Sequence, residues 1–278
     1  MKKILVPTNF SEDSEYALEV ASILAKQHKA EIVLFHMLGL SDMFFSNDET
    51  KLAAEAKYYL KQAKERFNIL LEKSYLRGIK VSQIVQNYKI FKEINSVALE
   101  QQVDLIVMSS HGKNSLGDIF VGTGTEQVIR SSELPVLVIK KPNSFFKPKE
   151  IVFAFDFQIE SLEAYRKAIQ MIQVLGANIN LVHINLPFSN FKSTLEIEEQ
   201  VKLFMRVAHH GENTPIQNIT YLNGYTIEQG LFNYASEISA DVIAVTTHGR
   251  RGLSHYFKGS IGEDIANEAT LPVLTIKI

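Results

Sequence analysis

Short apolar runs alternate along this chain with longer segments in which apolar residues recur every three or four positions. Runs such as Lys3–Pro7 and Glu31–Met37 have the length and composition of buried strands. After Ser11, apolar residues fall on one side of a helix, and Glu12 and Asp13 suit its first turn. The repeated order of strand and helix predicts an α/β fold with a parallel sheet covered by helices on both faces.

The same alternation continues through both halves of the chain. In the first half we predict strands at 80–86 and 135–140, and helices at 48–77, ended by Gly78, and at 91–101. In the second half we predict strands at 150–155, 178–184 and 216–222, and helices at 194–210 and 227–239. Each half therefore has enough strands for an open five-stranded sheet.

The two halves are an internal repeat. The stretch 103–112 is matched by 240–249, and His111 and His248 stand 137 positions apart, as do Gly122 and Gly259. Nearer the start of each half, Asn9 matches Asp156 at a spacing of 147, so the second half is ten residues shorter. Two prolines and three lysines in 141–149 mark the boundary. We predict domains at 1–141 and 150–278, joined by a linker at 142–149.

Composition narrows the classes of function. The net charge of −2 gives no electrostatic reason to expect binding to nucleic acid or to a membrane surface. The absence of cysteine excludes disulfides and thiolate chemistry, and no metal site is predicted. No apolar run reaches the length of a membrane span, and the apolar run at the N-terminus is too short for a signal peptide. We therefore expect a cytoplasmic protein.

A glycine followed by a hydroxyl residue precedes a predicted helix in each half. These pairs are Gly122-Thr123 and Gly259-Ser260. Free main-chain N–H groups and the helix dipole favour an anion at such a position, although a plain N-cap uses the same residues. The equal spacing from the preceding His-Gly pair in both halves favours phosphate binding in at least one of them.

Polar residues and glycines follow the first and fourth predicted strands of each half. They include Thr8 and Asn9 in the first half and Asp156 in the second, with Ser109 and Thr246 at the ends of the fourth strands. Ligands of open parallel sheets bind beyond the carboxyl ends of the strands where the strand order reverses. The crevice between the first and fourth strands is therefore the predicted site.

With these residues, the chain resembles the universal stress protein family. Its nucleotide-binding members carry G-x-x-G, nine residues, then G-[ST]. Ser109-Ser110-His111-Gly112 followed by Gly122-Thr123, and Thr246-Thr247-His248-Gly249 followed by Gly259-Ser260, fit this pattern except at the first glycine. Val6-Pro7-Thr8-Asn9 is similar to the family's first-strand signature, with Asn9 where an aspartate is usual. The resemblance covers nearly the whole chain as a tandem pair.

The resemblance implies two five-stranded parallel sheets, of the adenine nucleotide alpha hydrolase-like type, paired through their fifth strands as a pseudo-dimer. A homodimer of the chain is a further option. It also implies a site for ATP or AMP, with Mg²⁺ only when ATP is bound, and an unidentified protein partner. In the first half, the implied nucleotide-binding residues are Pro7, Thr8, Asn9, Met37, Met108, Ser109, His111, Gly112, Lys113, Gly122, Thr123, Gly124 and Thr125. In the second half, they are Asp156, Ile184, Val245, Thr246, His248, Gly249, Arg250, Gly259, Ser260, Ile261 and Gly262.

Within this set, Asn9 and Asp156 would face the adenosine and the two Gly-hydroxyl loops would hold the phosphates. His111 and His248 have no neighbouring nucleophile in any motif, so a structural role in the loop is the simpler interpretation. His36 and His183, at the ends of apolar strands, are interpreted as structural histidines. Two interpretations are open for Lys113 and Arg250: they contact a phosphate, or they are ordinary surface charges.

Three functions follow from these observations. The first is regulatory binding of an adenine nucleotide in a stress response, without turnover. The second is a nucleotide-free module of the same fold that binds another protein, which the replaced glycines and Asn9 favour. The third is slow ATP hydrolysis. The chain contains neither the G-x-x-x-x-G-K-[ST] phosphate loop nor a G-x-S-x-G nucleophile elbow, so no catalytic residue is assigned.

Overall fold

The fold is described from a computed structural model of the chain. The structure describes residues 1–38, 49–86, 92–110, 123–188, 191–209, 219–247 and 261–278. The chain divides into two compact units, unit 1 at Met1–Phe146 and unit 2 at Lys147–Ile278. In the described residues, no helix is long and apolar enough to cross a membrane.

Unit 1 contains a parallel sheet of five strands with the order β3-β2-β1-β4-β5. The strands are β1 (Lys3–Pro7), β2 (Glu31–Met37), β3 (Val81–Gln86), β4 (Leu105–Ser109) and β5 (Val136–Ile139). The helices are α1 (Glu12–His28), α2 (Glu49–Leu71), α3 (Lys92–Glu100) and α4 (Thr123–Ser131). Consecutive residues Ile4, Leu5 and Val6 are all buried, so both faces of the sheet are covered.

Unit 2 repeats this topology with the order β8-β7-β6-β9-β10, again with parallel pairing throughout. The strands are β6 (Glu150–Ala154), β7 (Asn178–Asn185), β8 (Ile219–Asn223), β9 (Val242–Thr247) and β10 (Val273–Lys277). The helices are α5 (Leu162–Leu175), α6 (Thr194–Ala208), α7 (Ile227–Glu237) and α8 (Ile261–Glu268). The predicted α/β fold with parallel sheets is confirmed.

The predicted helix 48–77 is too long at its C-terminal end. Helix α2 ends at Leu71, and a short 3-10 helix follows at Ser74–Leu76. Gly78, at φ 81°, lies beyond that turn and does not end α2. The chain leaves the helix because Leu76 is buried and the hydroxyl of Tyr75 donates a hydrogen bond of 3.2 Å to Glu15 of α1. Packing against α1 therefore overrides the helix propensity of the segment.

Asp104 and Asp241, near the start of the two repeated stretches, lie at the amino ends of the strands, opposite the predicted site. One carboxylate oxygen of Asp104 accepts hydrogen bonds from the main-chain N–H groups of Lys2 and Lys3. Asp241 accepts the equivalent bonds from Lys149, at 2.7 Å, and Glu150, at 3.0 Å. Each aspartate therefore fixes the amino end of the first strand of its unit, which explains its place in the repeat.

Candidate functional site

The strand order reverses between β1 and β4 in unit 1 and between β6 and β9 in unit 2. Strand β1 pairs with β2 on one side and with β4 on the other, and β6 pairs in the same way with β7 and β9. The carboxyl ends of β1 and β4 therefore lie side by side, and so do those of β6 and β9. This is the position at which open parallel sheets bind ligands.

The turn after β1 is built by its own polar side chains. Thr8 is buried, and its hydroxyl accepts a hydrogen bond of 3.0 Å from the N–H of Phe10 and lies 3.0 Å from the hydroxyl of Ser14. Asn9 is exposed, and its Oδ1 accepts a bond of 3.0 Å from the N–H of Ser11. Ser11 caps α1 by accepting from Ser14. Thr8 therefore shapes the turn, and Asn9 is the member that faces solvent.

Unit 2 repeats this turn with a carboxylate. Oδ1 of Asp156 accepts a hydrogen bond of 3.1 Å from the N–H of Gln158. The residues after Asn9 and Asp156 are Phe10, at φ 61°, and Phe157, at φ 56°. A left-handed conformation is uncommon for an aromatic residue, and backbone strain of this kind concentrates at functional sites. The same conformation at matching positions in both units shows that the repeat extends to the backbone of this turn.

The strained phenylalanines pack on matching aromatic groups. The ring of Phe10 lies 5.0 Å from that of Phe67 and 4.4 Å from that of His36, between centroids. The ring of Phe157 lies 5.7 Å from that of Phe204. Phe67 and Phe204 are fully buried in α2 and α6. These contacts supply the packing that holds the left-handed turns in place.

The two strand-end histidines are bonded to main-chain oxygens beside the site. Nδ1 of His36 lies 2.7 Å from the oxygen of Thr8, and Nδ1 of His183 lies 3.4 Å from that of Phe155. Because a carbonyl only accepts, His36 donates from Nδ1. Burial lowers the pKa of both histidines; Arg66 adds to this effect at His36 and Lys192 at His183. These contacts agree with the structural role predicted for both residues.

Apolar residues predicted to lie against the base end their strands at the same edge. Met37 is half-buried at the end of β2, whereas Met108 and Val245 are buried near the ends of β4 and β9. A Cβ added at Gly230 of α7 would lie 3.1 Å from the side chain of Ile184. The Ile184 side chain therefore packs on α7.

The first turn of α4 is fastened to the end of β4. The hydroxyl of Thr125 is buried and donates a hydrogen bond of 2.8 Å to the main-chain oxygen of Ser109. Helix α4 begins at Thr123, directly after Gly122, and α8 begins at Ile261, directly after Ser260. Both Gly-hydroxyl pairs thus adjoin a helix start, as predicted, and in unit 1 this start lies beside the end of β4.

Several predicted site residues lie outside the described residues. They are His111, Gly112, Lys113 and Gly122 in the first half and His248, Gly249, Arg250, Gly259 and Ser260 in the second. The main chain of Thr123, Ile261 and Gly262 is described as part of helices α4 and α8. Pro7, Gly124 and Thr246 are half-buried at the same edge as the other predicted residues.

The structure adds residues to the site that sequence reasoning missed. In unit 2, Nε2 of Gln200 donates a hydrogen bond of 2.7 Å to the main-chain oxygen of Asp156, and the ammonium of Lys192 bonds to Oε1 of Gln200. In unit 1, the guanidinium of Arg66 lies over the ring of Phe10, 5.7 Å from its centroid. For the residues of unit 2, the sequence does carry one signal: the Ser193-x-x-Glu196 capping box marks the start of α6 directly after Lys192.

Comparison with known proteins gives matches to each half. The profile described as "Universal stress protein family" matches residues 1–140 and again 148–277. Universal stress protein MJ0577 of Methanocaldococcus jannaschii is 34% identical over 164 residues, which cover 51% of this chain and 97% of that protein. Universal stress protein YxiE of Bacillus subtilis is 29% identical over 146 residues, covering 50% of this chain and 98% of that protein.

Solved structures support the fold over the whole length. A universal stress protein from Archaeoglobus fulgidus DSM 4304 matches with a TM-score of 0.74 at 20% identity, covering 99% of this chain and 98% of that one. PA1789 from Pseudomonas aeruginosa PAO1 matches with a TM-score of 0.66 at 16% identity, covering 100% and 92%. At these identities the structural likeness shows the fold alone. The two profile matches account for nearly all of the sequence, and the chain belongs to the universal stress protein family as a member with two such domains in tandem.

Proposed function

We propose that this protein binds ATP or a related adenine nucleotide and acts in stress regulation through binding rather than turnover. The observation that carries the proposal is the bond between Thr125 and Ser109, which sets the start of α4 beside the carboxyl end of β4. A helix start offers free N–H groups and a positive dipole end to phosphates. Asn9, exposed on the neighbouring turn, offers polar groups for the nucleoside.

The division of roles follows from position. The turns at Asn9 and Asp156 would meet the nucleoside, and the Gly-hydroxyl pairs before α4 and α8 would meet the phosphates. Mg²⁺ would accompany ATP but not AMP, because its coordination relies on the β- and γ-phosphates. The donor hydrogen of Thr125 is already used by Ser109, so the phosphate donors expected in unit 1 are Thr123 and main-chain N–H groups.

The experiment compares single variants of the phosphate loops. Gly122→Val and Gly259→Val place a β-branched side chain where a close backbone approach is expected. Calorimetric titration with ATP, AMP and adenosine should show that at least one of the two variants loses triphosphate affinity while keeping its melting temperature. A nucleotide-free interaction module predicts no heat from any of these ligands, with the original chain or with the variants.

Slow hydrolysis is tested separately. Phosphate release from ATP would be followed for the original chain and for the Gly122→Val, Gly259→Val double variant at equal protein concentration. A nucleotide-binding regulator without turnover predicts equal background rates in the two samples. Faster release by the original chain would assign a hydrolytic activity to one of the loops.

A further inference from the structure

A chain of polar contacts crosses the carboxyl ends of two strands in unit 2. Asn185 ends β7, and its amide group bonds to the main chain of Lys192. The ammonium of Lys192 then bonds to Gln200, whose Nε2 lies 2.7 Å from the main-chain oxygen of Asp156 after β6. This polar bridge, made of Asn185, Lys192, Gln200 and Asp156, spans the edge where the nucleoside end of the proposed site lies.

The bridge is held in place from several directions. Nδ2 of Asn185 donates to the oxygen of Lys192 at 2.9 Å, and Oδ1 accepts from its N–H at 3.1 Å. The next residue, Ser193, starts α6 with a complete capping box to Glu196. The backbone of Lys192 is therefore fixed on both sides. Gln200 is half-buried on α6, one turn before the fully buried Phe204.

Unit 1 has a different residue at the corresponding place. Phe67 and Phe204 are equivalent, since each is buried and packs edge-on against the left-handed phenylalanine of its unit. Four residues before Phe204 is Gln200, and four residues before Phe67 is Ala63, which is 2% exposed. A spacing of four keeps both residues on the same helix face. Alanine has no group that could reach the turn after β1, so unit 1 lacks the Gln200 arm of the bridge.

From this difference we propose that Gln200 and Lys192 are specificity-determining residues that close the nucleoside end of unit 2 to adenine nucleotides, leaving unit 1 as the primary site. The inference rests on the proposed function. The oxygen and the nitrogen of the Gln200 amide are both already hydrogen-bonded within the protein. A nucleoside that binds there must break these bonds before it forms its own. Unit 1 requires no such exchange at Ala63.

The test is calorimetric titration of the full chain with ATP and Mg²⁺, comparing the original sequence with Gln200→Ala. We expect one bound nucleotide per original chain. In Gln200→Ala we expect a second bound nucleotide, because the affinity of unit 2 rises about tenfold relative to the original chain, as one or two lost internal hydrogen bonds would give. Gln170→Ala, an exposed glutamine on α5, is the matched control and should leave the single site unchanged. Ala63→Gln should weaken the first site; if it fails to fold, Gln200→Ala decides the question alone.

Two further variants assign the single site. Asn9→Ala should weaken the nucleotide bound by the original chain, whereas Asp156→Ala should not. Two sites of equal affinity in the original chain, or an unchanged second site in Gln200→Ala, would overturn the inference while leaving nucleotide binding intact. The same is true if Asp156→Ala removes the single site. Absence of binding by every protein, Gln200→Ala included, would overturn the proposed function and this inference with it.

Discussion

The hydroxyl of Thr125 donates a hydrogen bond of 2.8 Å to the main-chain oxygen of Ser109. The two residues are sixteen apart in sequence, and their contact ties the first turn of α4 to the last residue of β4. The predicted phosphate loop runs between them. This bond therefore links the residues on either side of that loop.

Removing this bond should cost stability. Thr125→Val keeps the shape of the side chain but leaves the oxygen of Ser109 without this donor. The expected loss in free energy of unfolding is about 1 kcal/mol, measured by urea denaturation. Thr125→Ser keeps the hydroxyl and is the control. Equal unfolding midpoints for Thr125→Val and the original chain would show that the bond does not hold the helix start in solution.

The charge after the first strand should tune the nucleoside end of unit 1. Asn9→Asp keeps the oxygen that accepts from Ser11 and adds a carboxylate, as Asp156 provides in unit 2. Hydrogen bonds to a charged acceptor are roughly twice as strong as neutral ones. Adenosine should therefore bind Asn9→Asp several-fold more tightly, with little change in melting temperature. Weaker or unchanged adenosine binding, measured by calorimetry, would remove Asn9 from the nucleoside contacts.

Stability should fall in mild acid because of His36. Burial lowers the pKa of its folded form, with Arg66 contributing, while the unfolded value is about 6.5. The neutral ring therefore contributes stability above about pH 6.5, and this contribution is lost as the pH falls through the lower folded pKa. His36→Asn should reduce the difference in unfolding free energy between pH 7.5 and pH 5. An identical pH dependence in the variant would show that His36 is not responsible.

The start of α6 offers a further test of how unit 2 is organised. Ser193→Ala removes the side-chain acceptor for the N–H of Glu196 and the partner of its carboxylate. A lost N-cap costs about 1 kcal/mol of stability, so the urea midpoint should fall. Thr is a good replacement cap, and Ser193→Thr should retain most of the stability. Equal losses in the two variants would point to packing rather than capping.

The positions of the strands followed closely from the sequence because local pattern determines them. The runs at Lys3–Pro7 and Glu31–Met37 were predicted with their observed bounds. The end of α2 was wrong because the contact of Tyr75 with Glu15 joins residues sixty positions apart. No local pattern reports such a contact. Propensity alone also assigns no left-handed conformation to Phe10, which depends on the Asn9 turn and on packing against Phe67.

The site was predictable only in part for the same reason. The polar ends of β1 and β4 were found because polar residues and glycines follow both strands, and ligands of open parallel sheets bind beyond the carboxyl ends of the strands. The bond of Gln200 to Asp156 joins residues forty-four positions apart. That Gln200 of unit 2 corresponds to Ala63 of unit 1 becomes visible only when Phe67 and Phe204 are matched by their equivalent contacts. Differences between the two units therefore required the structure.

The most direct measurement of the central claim is calorimetric titration of the unaltered chain with ATP and with AMP up to millimolar concentration, with and without Mg²⁺. We predict saturable heat with at least one of the two nucleotides, and a response to Mg²⁺ for ATP only. No heat from either nucleotide would contradict nucleotide binding and favour a ligand-free interaction module of the same fold.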